Sequence, residues 1–441
     1  MKPVILVLFP LAFDEQALLG LEQTYPEYEF VRVGFDLFTF PQNLRLFAFD
    51  VERFVDRLLR RFRRRNIASI LSTQEQFGAL AAALACERLG LPGTSVEAIV
   101  RAQNKGAARE IHQRTLPDHT PAFCTFRFDA DPASAVTIGY PAFVKPVKAA
   151  FSVLARRCEG PQDLARLLDL SAWDRWVIRA LTRPFRRVSP KFLDCAATAD
   201  HFIAETLIDN AVQVCVDGYA LNGRIEILGV VDSIMYPGTD AFMRFEYPSR
   251  LAPSVIDRCR VVATKAVAAL GFSHGLFNVE LRWQPDSDRI WIVEVNPRMA
   301  GQFSDLYERV TGRSLWAVQL PLALGKTPPA ATGGSFGAAA SFVFREFGAA
   351  TPRSPSPEAL AWLSNHHPDA VLHLDLKHGA SRRREERWVG NYRYALLHMG
   401  AADHAALMES FAIARQRLDF FGDGSRQDAP GRWLSRLRRS F

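Results

Sequence analysis

The first hundred residues alternate short apolar runs with amphipathic stretches. The runs at 4–9, 28–33 and 68–72 have the length of buried strands, and helical spacing appears near 14–23 and in a stretch that ends near Gly90. The clearest helix pattern has apolar side chains on one face only: Val51, Phe54, Val55, Leu58, Leu59 and Phe62. This order predicts a βαβαβ unit with a parallel sheet, a Rossmann-like domain over residues 1–103.

Between about 122 and 330 the pattern changes to longer, consecutive strands. Asn222-Gly223 separates the apolar runs 212–220 and 224–232, which predicts a β-hairpin. A basic stretch at 173–191 interrupts these strands, and it fits either a solvated helix and loop or a lid that attracts an anionic substrate.

A third region follows a Gly/Pro-rich segment near residue 330. Strands are expected at 341–347, 370–376 and 392–398, and a helix at about 403–418. We therefore predict a small α+β domain over 331–425, and we interpret residues 426–441 as a basic tail.

Charge and composition narrow the choice of partner. Lys and Arg number 54 against 47 Asp and Glu, a net charge of +7 that suits anionic ligands. A nucleic-acid surface would need clustered basic residues interleaved with aromatic ones, so no nucleic-acid partner is predicted. The six cysteines are scattered and expected to be reduced thiols. No apolar run approaches the ~20 residues of a membrane span, so a cytoplasmic location is predicted.

The most informative chemistry lies in residues 276–301, which form two apolar strands joined by a polar turn. Glu294 and Asn296 are two residues apart and therefore share one strand face, and pairing of the strands brings Glu280 beside them. Converging carboxylates need a cation between them, and hard oxygen ligands suit Mg²⁺ or Mn²⁺. Arg298 then lies beside the metal, where it can neutralise charge on a transferred phosphate. The alternative is a solvated polar face.

This segment resembles the metal-binding end of the ATP-grasp superfamily. Four more landmarks of that family occur in order: Asn-Lys-Gly at 104–106, an apolar strand ending in Lys-Pro at 140–146, a strand ending in Glu at 201–205, and the strand 213–218. The resemblance covers residues 1 to about 330. It implies an α/β fold of the α+β grasp type, with a two-lobed ATP-grasp domain over 104–330 and a lid at about 145–205.

The resemblance also implies the contacts to ATP. Lys105 and Lys145 would contact phosphates, the backbone of Glu205 and Leu207 would form the adenine hinge, and Gln213 would meet the ribose hydroxyls. The family often has Glu at the position of Gln213, but an amide oxygen can still accept a hydroxyl proton.

Two further sets of residues extend this assignment. The phosphate-covering loop, usually rich in Gly and Ser, reads Lys-Ala-Ala-Phe-Ser at 148–152, so Lys148 and Ser152 are its candidate contacts. The segment 232–248 resembles stretches of ATP-grasp ligases that join amino acids or carboxylates to amines. Arg244 is therefore a candidate clamp for the acceptor carboxylate or acyl phosphate, and a structural ion pair with Glu246 is the equal alternative.

The reaction implied by this resemblance is ligation. A small-molecule carboxylate would be activated by ATP as an acyl phosphate, and an amine would then displace phosphate. The alternatives are a carboxylase or phosphotransferase with the same fold, or a nucleotide-binding protein without catalysis. A homodimer is also left open.

Overall fold

The computed structural model describes residues 2–11, 14–35, 45, 48–75, 77–148, 154–193, 201–348, 350–379, 382–383, 385–386 and 390–422. Its amino-terminal unit, residues 4–89, contains β1 (Val4–Leu8), α1 (Asp14–Thr24), β2 (Glu29–Val33), α2 (Val51–Phe62), β3 (Ile67–Leu71) and α3 (Gly78–Leu89). The three strands are parallel in the order β2-β1-β3. The predicted βαβαβ order with a parallel sheet is therefore confirmed.

Helix boundaries in this part of the chain follow local capping chemistry. The Asp50 side chain accepts a hydrogen bond from the Arg53 backbone and begins α2. Gly90 adopts φ 65° and ends α3. Two further helices follow, α4 (Val96–Gln103) and α5 (Lys105–Thr115), and their N-caps are Ser95 and Asn104.

A small antiparallel sheet comes next. It consists of β4 (Phe123–Arg127), β5 (Ala142–Pro146), β6 (Arg156–Cys158) and β7 (His201–Thr206), in the order β4-β7-β5-β6. Two helices lie between β6 and β7 along the chain, α6 (Pro161–Leu168) and α7 (Ala172–Val188). This sheet and its helices include the described part of the predicted lid.

Helix α7 packs on the amino-terminal unit. Phe185 and Val188 are buried in one apolar cluster with the α2 and α3 side chains. At its carboxyl end Arg187 pairs with Asp50 at 2.7 Å, and just beyond it Lys191 pairs with Glu52 at 2.7 Å. The basic stretch is thus a helix with one docked apolar face, while its arginines are exposed.

The large sheet has eight antiparallel strands in the order β12-β11-β8-β9-β10-β13-β15-β14. Five come from the middle region: β8 (Val212–Leu221), β9 (Arg224–Met235), β10 (Phe242–Tyr247), β11 (Gly275–Gln284) and β12 (Arg289–Asn296). β8 and β9 form the predicted hairpin, with Asn222 and Gly223 at φ 52° and 82°. Helices α8 (Pro253–Ala269), α9 (Ser304–Thr311) and α10 (Leu315–Ala323) complete this region.

The strands of the third region continue the same sheet. They are β13 (Ala338–Glu346), β14 (Val371–Leu374) and β15 (Tyr392–Ala401), and β13 pairs directly with β10. Helices α11 (Pro357–His366) and α12 (His404–Leu418) accompany them. The region beyond residue 330 has its own apolar cluster but shares its sheet with the middle of the chain. The domain limits stay a prediction.

Candidate active site

The two faces of the large sheet differ sharply at its β8-β11-β12 edge. One face carries Val214, Val216, Val279 and Val295, which pack in a cluster with α8. The alternate positions of the same strands carry Gln213, Asp217, Asn278, Glu280, Glu294 and Asn296. Polar groups placed on such apolar strands mark this second face as a site.

Glu280 and Glu294 are cross-strand partners, and Asn278 lies opposite Asn296. Asn296 Nδ2 donates to Glu280 Oε1 at 3.4 Å, and Gln213 Nε2 donates to Glu280 Oε2 at 2.9 Å. Burial, and then the negative charge of Glu294, raise the pKa of the Glu280 carboxyl. The hairpin therefore brings the three expected metal ligands together in a place where two carboxylates repel each other.

A second polar layer lies behind these ligands. Asn296 Nδ2 donates to Asn278 Oδ1 at 3.3 Å, and Asn278 Nδ2 donates to Asp217 Oδ1 at 2.9 Å. The hydroxyl of Tyr307 donates to the other Asp217 oxygen at 3.0 Å. Burial raises the pKa of Asp217 to about 7 in spite of these hydrogen bonds. This chain fixes the orientation of the Asn296 amide.

Lys105 reaches the metal-ligand cluster from another element. It is the first residue of α5, and its Nζ lies 3.0 Å from Glu294 Oε2. Burial alone would raise the pKa of Glu294, but Lys105 and then Lys145 bring it below its ordinary value. The backbone of Lys105 also donates to the carbonyl of Val147, so α5 is tied to the segment that follows β5.

Lys145, Glu205 and Arg109 form a buried group of three charges, in which Glu205 pairs with both cations. Lys145 Nζ lies 2.7 Å from Glu205 Oε2, and Arg109 Nε lies 2.5 Å from Glu205 Oε1. Burial would raise the pKa of Glu205, yet the two cations lower it to about 2. Burial lowers the pKa of Lys145; Glu205 opposes this shift, and the neighbouring positive charge of Arg109 adds to it. Arg109 Nη2 also donates to the carbonyl of Val293, which occupies the irregularity between β11 and β12.

Lys148 lies against α7. Its Nζ lies 4.1 Å from the centre of the Phe185 ring, a cation–π distance. Its side chain is buried, and burial lowers its pKa to about 7, with Glu75 opposing the shift and Lys105 adding to it. A phosphate group placed here would restore its full charge.

Arg298 follows β12 and turns toward the amino-terminal unit. Its Nη2 and Nε lie 2.7 and 3.1 Å from Glu75 Oε2. Burial would lower the pKa of the guanidinium, but Glu75 first, and Glu280 and Glu294 after it, raise it. Arg298 is thus a charged neighbour of the metal-ligand cluster.

The remaining predicted ATP contacts are Gln213, Leu207 and Ser152. Both functional groups of the Gln213 amide are engaged, since Arg282 Nε donates to its oxygen at 3.0 Å while its nitrogen contacts Glu280. Leu207 follows β7 directly and is half-buried. Ser152 lies outside the described residues.

Arg244 does not join this cluster. The residue next to it in β10, Phe245, pairs with Ser233 of β9. The hydroxyl of Ser233 lies 3.4 Å from the thiol of Cys215, so Ser233 and Phe245 are on the same face of the sheet as Glu280. Arg244 therefore points to the opposite face of the sheet, where it forms an ion pair with Glu246. This placement corresponds to the alternative given for Arg244 above, a structural ion pair with Glu246.

The oxygen donors of the site fit a hard divalent cation. Within the described part of the chain, no three His, Cys, Asp or Glu side chains form a cluster able to hold a metal. A cation here would be bound by two carboxylates and one amide, and phosphate oxygens would complete its shell. Burial and then repulsion by Glu294 raise the pKa of Glu280, and a cation between the two carboxylates would relieve that repulsion.

Sequence reasoning missed Arg109 and Glu75. Arg109 follows Lys105 by one helical turn, so helical spacing alone places both on one face of α5. Glu75 follows the carboxyl end of a parallel strand, which is where open α/β sheets bind ligands. The helical spacing of Arg109 from Lys105 and the location of Glu75 after a parallel strand are therefore the signals in the sequence that indicate these two residues.

Part of the chain is similar to a known protein family. Residues 138–305 match the ATP-grasp domain. An uncharacterized protein, y4rH, of Sinorhizobium fredii is 26% identical over 242 residues, and the carbamoyl phosphate synthase large chain of Pseudomonas putida is 29% identical over 251 residues. These matches cover 54% and 56% of this chain. The chain spans 44% and 21% of those two relatives, less than half of either.

Solved structures agree with this fold over nearly the whole chain. The L-amino acid ligase of Bacillus licheniformis superposes with a TM-score of 0.68 at 19% identity, covering 95% of this chain and 98% of that one. A biotin carboxylase of Campylobacter jejuni gives 0.60 at 14% identity, covering 94% and 91%. At such identities the likeness establishes the fold alone. Among the described residues, no helix is long and apolar enough to cross a membrane.

Proposed function

We propose that this chain, whose residues 138–305 match the ATP-grasp domain, is an ATP-dependent ligase that joins a carboxylate to an amine and releases ADP and phosphate. The observation that carries this proposal is the meeting of Lys105 with Glu294 at 3.0 Å, next to the Glu280–Glu294 pair. The half-buried carboxylate pair provides negative charge for a divalent cation, and the lysine provides positive charge for the phosphates of a nucleotide.

The two chemical steps balance without a protein nucleophile. In the first, a carboxylate oxygen of the substrate attacks the γ-phosphorus of ATP, and the bond from that phosphorus to the β–γ bridging oxygen breaks to give an acyl phosphate and ADP. In the second, the amine nitrogen attacks the carbonyl carbon, the bond from that carbon to the phosphate oxygen breaks, and the nitrogen loses a proton. Positioning and electrostatics supply most of the rate in such reactions.

The residues of this chain have distinct parts in that scheme. Lys105, Lys145 and Lys148 would bind and orient the phosphates, and Arg298 would balance the charge that develops on the transferred group. Glu280, Glu294 and Asn296 would bind Mg²⁺, which would neutralise negative charge on the phosphate oxygens. Helix α7 covers Lys148 and would help to exclude water, which otherwise hydrolyses an acyl phosphate.

Amino acids are the first substrates to test, because the L-amino acid ligase of Bacillus licheniformis shares the fold over 95% of the chain. Pairs of amino acids would be incubated with ATP and Mg²⁺ while ADP and phosphate are measured, and products would be identified by mass spectrometry. A ligase releases ADP and phosphate in equal amounts only when acid and amine are both present. Lys145→Met should abolish this release, whereas Lys326→Met, at an exposed position, should not.

Other outcomes would identify the alternatives. A requirement for bicarbonate would indicate a carboxylase. ADP release without free phosphate would indicate a phosphotransferase. Nucleotide binding without turnover on any pair would contradict the ligase proposal and favour a binding protein.

A further inference from the structure

Arg298 is restrained by more than its position after β12. Its backbone N–H donates to the Asn296 carbonyl at 2.9 Å, and its Nη1 donates to the Met299 carbonyl at 3.2 Å. Both remaining guanidinium nitrogens, Nε and Nη2, donate to the same oxygen of Glu75, Oε2. Glu75 therefore decides where the guanidinium points.

The backbone around Glu75 is held by contacts with α3 and α4. The Glu75 carbonyl accepts a hydrogen bond from Gln103 Nε2. The preceding Gln74 accepts from the backbone of Phe77 and Gly78 with its side-chain oxygen, at 3.2 and 2.7 Å, which anchors the loop to the start of α3. Gln74 and Glu75 are thus tied to the start of α3 and to the end of α4.

The charges around Arg298 explain why an anchored Glu75 is needed. Glu280 and Glu294 also attract the guanidinium, although less than Glu75 does. Without Glu75, these two carboxylates would be left to attract Arg298. A guanidinium that moved onto them would occupy the place of the metal.

We propose that Glu75 is a positioning residue that holds Arg298 beside the carboxylates of the site and prevents it from collapsing onto them. This inference rests on the proposed function, because it assigns Arg298 to the transferred phosphate. It makes the amino-terminal unit a contributor to phosphoryl transfer.

The test compares Glu75→Gln with the matched control Glu29→Gln, which removes a carboxylate from an exposed ion pair of the same unit. Since a displacement of about 1 Å in a catalytic group costs on the order of 100-fold, Glu75→Gln should lower kcat by roughly that factor while the KM for ATP stays within about threefold. Glu75→Asp should recover part of the loss, and the control should keep wild-type kcat. Thermal unfolding separates this effect from a loss of folding.

A double variant tests the coupling directly. If Glu75 acts through Arg298, Glu75→Gln combined with Arg298→Gln should lose no more activity than Arg298→Gln alone. Losses that multiply, or a Glu75→Gln enzyme with wild-type kcat, would overturn the proposal.

A spectroscopic measurement keeps the inference separate from the ligase reaction. The Nε–H signal of Arg298, assigned by its loss in Arg298→Lys, should shift in Glu75→Gln and not in Glu29→Gln. If no substrate pair gives turnover but this shift is seen, the proposed function fails while the positioning role stands. An unshifted signal would refute the positioning role whatever the activity.

Discussion

Replacement of Glu294 by Gln tests the centre of the proposed site. The change keeps the size of the side chain and removes one negative charge, so the metal and Lys105 lose a partner together. A pair of unit charges about 4 Å apart interacts by roughly 4 kcal/mol at an effective dielectric constant of about 20. Since about 1.4 kcal/mol corresponds to a tenfold change in rate, kcat should fall by about 1,000-fold.

The fold should survive this substitution. Glu294→Gln removes the ion pair with Lys105, but it also relieves the charge repulsion between Glu294 and Glu280, which together with burial raises the pKa of Glu280. These two effects oppose each other, so the melting temperature should stay within about 3 °C of wild type. ADP release measured across a range of Mg²⁺ concentrations, together with thermal unfolding, would check both expectations.

Glu97→Gln is a suitable control for Glu294→Gln. Glu97 forms an ion pair with Arg101 one helical turn away, and its side chain is 47% exposed. Such pairs contribute only about 0.3–0.5 kcal/mol, so kcat should not change. A Glu294→Gln enzyme that retained near wild-type kcat with unchanged Mg²⁺ dependence would refute the metal assignment.

Three more predictions concern the nucleotide side of the site. The pKa of Lys148 is about 7 without ligand, so ATP binding above pH 7 requires uptake of a proton; the Kd for ATP should rise by up to about tenfold per pH unit between pH 7 and 9, and Lys148→Met should abolish this rise in calorimetric titrations. Glu205→Gln leaves Lys145 and Arg109 without their shared carboxylate, so urea unfolding should show a loss of about 3–5 kcal/mol. Phe185→Ala removes the buried ring that docks α7, so limited proteolysis of the helix should become faster and the KM for ATP should rise.

Each of these expectations has a clear contrary result. A Kd for ATP that is constant across this pH range would show that Lys148 does not meet the phosphates. Unchanged stability of Glu205→Gln would mean that the buried cations find other partners. If Phe185→Ala resists proteolysis as the wild type does, the other contacts of α7, including buried Val188 and the ion pair of Arg187 with Asp50, are sufficient to hold it.

The sequence predicts those parts of the fold and site that depend on short-range pattern. Glu280, Glu294 and Asn296 share a face because strand side chains alternate and because a short polar turn joins the two strands. The parallel sheet of the amino-terminal unit is likewise visible in the alternation of strands and helices. In both cases the decisive spacing lies within a few dozen residues.

Contacts between segments that are distant along the chain could not be predicted from local spacing. Nothing in the spacing of the chain pairs Arg298 with Glu75 or docks Phe185 against α2 and α3. The face of β10 that carries Arg244 is set by its pairing with β9 and β13, so sequence similarity alone left its role open. Long-range pairing depends on the whole fold and not on local periodicity.

The pairing of β13 with β10 has a practical consequence for work with fragments. Tyr247 and Arg244 face Ala339 and Phe342 along this seam, in the interior of the large sheet. A protein shortened near residue 330 would leave β10 as a bare edge, with backbone groups ready to pair with another molecule. Such a shortened protein should precipitate or assemble through that edge, so biochemical studies of nucleotide binding are best carried out on the whole chain.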